Sequence, residues 1–145
     1  MAKSDKAKAA DIEKPPAQAW GMGFLGWLVP GAGHLAQGKR VRALVLGGAI
    51  WVSFIAGLAM GGRMFSLNPS DPNSSVLLQI PPMIANLGSG VLYLISWVTG
   101  LGFNDDPMQA ARATHEYGNT FLLIAGLLNY LVMLDAFDIA AGRKN

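Results

Sequence analysis

Residues 20–42 read WGMGFLGWLVPGAGHLAQGKRVR, and how this stretch crosses or re-enters an apolar layer decides the fold. It starts as an apolar run, breaks at Pro30, Gly31 and Gly33, and closes on the basic cluster Lys39, Arg40 and Arg42. Proline removes a backbone donor and disfavours helix at the residue before it, here Val29. At membrane depth, backbone groups freed by such a break must find partners in protein or water. The segment, residues 20–35, is therefore either a kinked span or a half-inserted, re-entrant hairpin.

The composition around it points to a membrane. The 145 residues are 52% hydrophobic and 14% charged, against about 25% charged in a typical soluble domain. Mean hydropathy is +0.34. Four uncharged runs, residues 15–38, 43–62, 72–104 and 117–134, are each close to or above the length of about 20 residues that crosses a bilayer. A soluble chain of this size lacks the mass to bury four such helices on all sides. The expectation is an all-α integral membrane protein with three to four transmembrane helices, in segments of about 20–35, 43–62, 82–103 and 119–141. They form one membrane domain, residues 17–142, between a polar tail, residues 1–16, and a basic end, residues 143–145.

Other classes lose support. There is no cysteine, so no disulfide framework and no thiolate metal site. The net charge of +2 comes mainly from the tail and the 39–42 cluster, a pattern that suits a lipid surface better than nucleic acid. Lys39, Arg40 and Arg42 are candidate headgroup contacts. Ala17-Gln18-Ala19 resembles a signal-peptidase site but precedes the apolar run, so no cleaved signal is read. Gly21-x-Gly23-x-x-Gly26 spells a dinucleotide fingerprint with no strand before it, which fails the context that motif needs. No catalytic constellation is visible, and the chain is read as no enzyme.

Pro30-Gly31-Ala32-Gly33-His34, followed by Gly38 and a basic residue, resembles the P-G-x-G-H turn of small bacterial multipass proteins. It is also similar to the turn of the two-transmembrane-helix domain family. The resemblance covers residues 20–60. It implies a fold fragment in a bacterial inner membrane and no active site.

Downstream, Ala49, Ser53, Gly57 and Gly61 recur every four residues and give the second segment a small-residue face for close helix packing. That face suits either a helix of the same chain or a helix of another subunit. Residues 63–82 form a Pro/Ser/Asn-rich connector containing the sequon Asn73-Ser74-Ser75. The third helix is expected to start at Pro81-Pro82. It carries Asn86 and Ser89 as interhelical glue. Asp106, Pro107, Gln109 and Gly118 spell the cap, first turn and stop of a short interfacial helix over 107–117.

Two places hold potential chemistry. His34 is either bonded to a carbonyl of the break or a ligand for a haem iron or a chlorophyll-type pigment. Asp135 and Asp138 share a helix face. They are either a solvated helix end paired with Arg143 or, if buried, an ion or proton site. Counting Lys and Arg by side gives seven inside against four outside for four true spans, and eight against three for a re-entrant first segment. Both place the N-terminus in the cytoplasm. The first functional expectation is an accessory subunit of a larger membrane complex, respiratory or photosynthetic, with other membrane subunits and lipids as partners. The alternative is a small ion or solute transporter or channel acting as a homo-oligomer.

Overall fold

A computed structural model describes residues 15–66, 75–103 and 107–144. The tail lysines, the sequon's Asn73 and Ser74, and the expected cap Asp106 lie outside the described residues. Every regular element among the described residues is a helix. In order they are α1 (Ala17–Leu28), α2 (Ala32–Ala36), α3 (Arg40–Ala59), α4 (Val76–Leu87), α5 (Val91–Thr99), α6 (Pro107–Ala110) and α7 (His115–Ala140).

Among the described residues only α3 and α7, of 20 and 26 residues, are single helices long and apolar enough to cross a membrane. They run antiparallel. At one end Thr114 Oγ1 donates to the Met60 carbonyl at 3.0 Å and His115 Nδ1–H donates to the Gly61 carbonyl at 2.7 Å. At the other end stand Lys39, Arg40 and Arg42, at the start of α3, and Lys144, just past α7. This is the basic end of the bundle.

The segment at 20–35 turns back. α1 descends antiparallel to the C-terminal half of α7: the Trp20 ring lies edge-on to Phe137, and Gly26 lies over Met133 and Ala136. The chain breaks at Pro30 and Gly31, which lie against Ala43 and Gly47 of α3. Gly31 takes φ +89°, a left-handed conformation that glycine adopts without steric cost. α2 then climbs back to the level of Asp135 and Ala136, where Gln37 Nε2 donates to the Gly33 and Ala136 carbonyls at 2.9 Å each. α1 and α2 thus fold back on each other as a hairpin against α7.

The third expected segment differs more. The helix begins at Val76, not at Pro81-Pro82, so both prolines lie inside α4. It then breaks at Gly88-Ser89-Gly90, and α5 leaves bent by 113°. That bend exceeds a right angle. α5 heads to the end opposite the basic one, where the Met64 N–H donates to the Gly102 carbonyl at 2.7 Å. Counted as one span, the bent pair would make a third crossing; taken alone, each half is too short.

The interfacial helix at 107–117 is also different. α6 stops at Ala110, and α7 starts at His115 and runs straight through Gly118. A Cβ on Gly118 would lie 2.6 Å from the Gly62 nitrogen and 2.8 Å from the Gly57 carbonyl oxygen. The glycine permits close helix approach and does not end a helix. Ile50, Phe54, Met64, Leu92, Leu122, Ala125 and Val132 form the apolar core, drawn from α3, α5, α7 and the stretch after α3.

The chain thus repeats a plan. Apart from the four-residue α6, each half has a broken pair of short helices followed by a long one, and the two long helices are antiparallel. Each break carries the same short pattern, Gly31-Ala32-Gly33-His34-Leu35 and Gly88-Ser89-Gly90-Val91-Leu92.

Candidate functional site

The two breaks meet at Asn129, the fifteenth of the 26 residues of α7. Its Nδ2 donates to the Trp27 carbonyl at 2.7 Å and to the Gly88 carbonyl at 2.8 Å. One amide thus ties the C-terminal end of α1 to the break before α5. Gly90 comes so close to the Trp27 and Leu28 carbonyls that a Cβ there would overlap them. The negative end of the α1 dipole therefore faces the positive end of α5.

The same junction holds polar atoms with no protein partner. Asn86, Ser89 and Asn129 are fully enclosed, and both side-chain polar atoms of Asn86, Ser89 Oγ and Asn129 Oδ1 are unbonded. Buried polar groups are hydrogen-bonded in the great majority of cases, so each exception calls for a cause. Here four such atoms belong to three residues around one crossing. The set contains donors and acceptors and no charge. Packing is tight: a Cβ on Gly126 would overlap the Ala85 carbonyl and press on Ser89 Oγ.

A second cluster lies toward the basic end. His34, fully enclosed, donates Nε2–H to Asp135 Oδ2 at 3.0 Å. Asp135 Oδ1 accepts from the Lys144 ammonium at 2.8 Å. The carboxylate beside it raises the Lys144 ammonium above its ordinary pKa. Asp135 and Asp138 open into a groove of about 390 Å³ between α3 and α7, with Leu46, Leu128 and Leu131 on its apolar walls. Asp138 pairs with Arg143 at 3.4 Å, the helix-end pairing that the sequence allowed.

His34 is therefore bonded to a carboxylate 101 residues away and not to a carbonyl of the break. Its ring has no exposed edge and its Nε2 is engaged. Among the described residues no group of three or more His, Asp or Glu could hold a metal ion. The small-residue face of α3 divides. Gly57 and Gly61 are buried within the chain, Gly57 against Leu122 and Gly118. Ser53 is half-buried and Ala49 exposed. The buried side of α3 instead runs through Ala43, Gly47, Ile50, Phe54 and Gly57. Lys39 is partly buried; Arg40 and Arg42 are exposed in the first turn of α3. Asn129 was missed by sequence reasoning. Its signal was an amide flanked on both sides by apolar residues inside an uncharged run.

Residues 21–145 match the family described as "Family of unknown function (DUF6677)", and the chain belongs to that family. No curated protein and no solved structure matches the chain.

Proposed function

For this DUF6677 member, we propose a small membrane channel or transporter that passes an uncharged, hydrogen-bonding solute through the junction of its two broken helices. The observation that carries this reading is the set of enclosed, unpartnered polar atoms on Asn86, Ser89 and Asn129 where the two breaks meet. Inverted repeats with interrupted helices are a common plan of transport proteins, and their sites lie where the interruptions face each other near mid-depth. A neutral donor–acceptor set favours a neutral solute over an ion.

The orientation belongs to the same proposal. Five described basic residues, Lys39, Arg40, Arg42, Arg143 and Lys144, stand at one end, against Arg63 and Arg112 at the other. Basic residues mark the cytoplasmic side. Both termini are then cytoplasmic, in the bacterial inner membrane. This assignment moves Arg143 and Lys144 inside and Arg112 outside, relative to the hairpin arrangement read from sequence. The cluster at 39–42 contacts lipid headgroups there.

The test is stopped-flow light scattering on proteoliposomes facing a glycerol or urea gradient. Uptake faster than in empty liposomes, lost in Asn86→Leu while that variant stays monodisperse in detergent, supports the reading. Rates equal to empty liposomes for both solutes overturn it.

One observation favours a second reading, an accessory subunit of a larger membrane complex. On the outer face of α3, a Cβ on Gly48 would meet nothing within 4 Å, and Ala49 beside it is exposed. Uncovered small residues accept a neighbouring helix. Stoichiometric co-purification of other membrane proteins in mild detergent, abolished by Gly48→Leu, supports this alternative.

A further inference from the structure

Toward the basic end, α3 and α7 part. At the other end they meet closely: a Cβ on Gly57 would lie 3.0 Å from the Gly118 carbonyl oxygen. At the basic end the α1–α2 hairpin is wedged against both helices, with Gly31 on Ala43 and Gly47 of α3 and Gly33 on Ala136 of α7. The groove of about 390 Å³ opens where the two helices diverge. Val132 is enclosed and forms its floor. Leu46 and Leu128 are half-buried on its walls, and Leu131 stands at its lip, 64% exposed.

The groove has a charged mouth above an apolar trough. On α3, Arg42 and Leu46 are four residues apart and share a face. On α7, Leu128, Leu131, Asp135 and Asp138 follow at three- and four-residue spacing, so they too line one face. From Leu128 to Asp138 the helix rises about 15 Å, which puts the carboxylates at the end of α7 and the leucines in the layer below. The charges at the mouth do not balance. Among the described residues, five cations stand at this end with Asp135 and Asp138. Asp135 is taken by Lys144 and His34, and Asp138 by Arg143. Among the described residues no ion pair reaches Lys39, Arg40 or Arg42. Arg42 lies near enough to Lys144 for the two like charges to oppose each other. A phosphate between them relieves that repulsion.

We propose that the α3–α7 groove is a binding site for one anionic glycerophospholipid, with its phosphate between Arg42 and Lys144 and one acyl chain along Leu46, Leu128 and Leu131. Charge and shape select separately. Basic side chains beside a membrane attract anionic headgroups. Long arginine and lysine stems reach headgroup level while covering apolar surface. An acyl chain in a bilayer gains nothing by leaving water, so its preference for the groove comes from dispersion contacts with fixed walls. A zwitterionic lipid bearing an ammonium needs a free carboxylate, and both carboxylates already hold a cation. The site deepens the headgroup contact proposed above for residues 39–42 and rests on the membrane placement proposed there. It does not depend on solute transport.

The experiment reconstitutes the full chain in vesicles of equal parts phosphatidylglycerol, phosphatidylethanolamine and phosphatidylcholine with the same acyl chains. The protein is then extracted in mild detergent and weighed with its retained lipid by native mass spectrometry. The expected result is one retained lipid per chain, with phosphatidylglycerol enriched over phosphatidylcholine by at least about fivefold, the factor that one juxtamembrane cation supplies. Arg42→Gln lowers that enrichment by about the same factor. Leu131→Trp, which fills the groove and leaves every charge in place, lowers retention of all three lipids. Arg112→Gln, at the far end, changes neither. Phosphatidylglycerol and phosphatidylcholine retained alike overturn the proposal. So does phosphatidylethanolamine retained as well as phosphatidylglycerol, which means that the mouth reads an ammonium. So does a Leu131→Trp variant that keeps its lipid. Incorporation into vesicles without a selected lipid removes this site and leaves the membrane placement standing. A chain that does not enter vesicles removes both.

Discussion

Single atoms set the packing of this bundle, and glycines show it best. Gly126 sits under the α4–α5 break with Ala85 and Ser89 against it. Gly126→Ala places a methyl into the Ala85 carbonyl, and overpacking of this kind costs about 1–3 kcal/mol. Gly48→Ala on the outer face of α3 meets nothing and gains up to about 1 kcal/mol of helix propensity. Equilibrium unfolding of both variants in mixed detergent micelles should therefore shift in opposite directions. Asn129 offers a second contrast. Asn129→Leu keeps the branching and heavy-atom count of the side chain but strands the Trp27 and Gly88 carbonyls, two buried acceptors at about 1–3 kcal/mol each. A change below about 0.5 kcal/mol would mean that the two breaks are not held through this amide.

At the scale of elements, some of the plan is legible in the sequence and some is not. The first break is legible because proline and glycine act locally: Pro30 and Gly31 stop α1 whatever lies around them. The second break is hidden. Gly88-Ser89-Gly90 lies in a run without charge, and Pro81-Pro82 draws the eye to a helix start that the chain does not use. Gly118 has the spacing of a helix stop, yet its role is set by Gly57 and Gly62, more than fifty residues earlier. A glycine's purpose follows from what approaches it, and spacing carries no record of that. The same holds at the site. Asp135 and Asp138 stand out as carboxylates at a helix end, but the pairing of Asp135 with His34 spans 101 residues. The hairpin also makes a prediction of its own. Gly31→Ala forces a methyl into left-handed backbone, at about 1–2 kcal/mol. It also places that methyl 2.7 Å from the Ala43 carbonyl. Limited proteolysis should then cut between α1 and α3 in the variant before it cuts elsewhere.

Across the whole molecule, the number of crossings decides which groups share a side. Two long antiparallel helices with two returning hairpins bring the start of α1, the end of α7 and the 39–42 cluster to one end. Three or four crossings separate them. The contacts favour the first arrangement: Lys144 reaches Asp135, which also holds His34, while Arg63 and Arg112 lie beside Asn119 and Gly61 at the far end. The charge count agrees, since it leaves only Arg63 and Arg112 of the described basic residues on the other side. Single cysteines test this directly, because the native chain has none. Gly38→Cys and Gly142→Cys replace glycines whose surroundings are open. Ser66→Cys lies on the exposed stretch after α3. In intact spheroplasts a membrane-impermeant maleimide should label Ser66→Cys and spare the other two. After lysis it should label all three. If Gly142→Cys reacts alongside Ser66→Cys in intact cells, the α4–α5 pair crosses the membrane. The two halves are then no longer inverted copies, and the junction at Asn129 loses its claim to be a transport site.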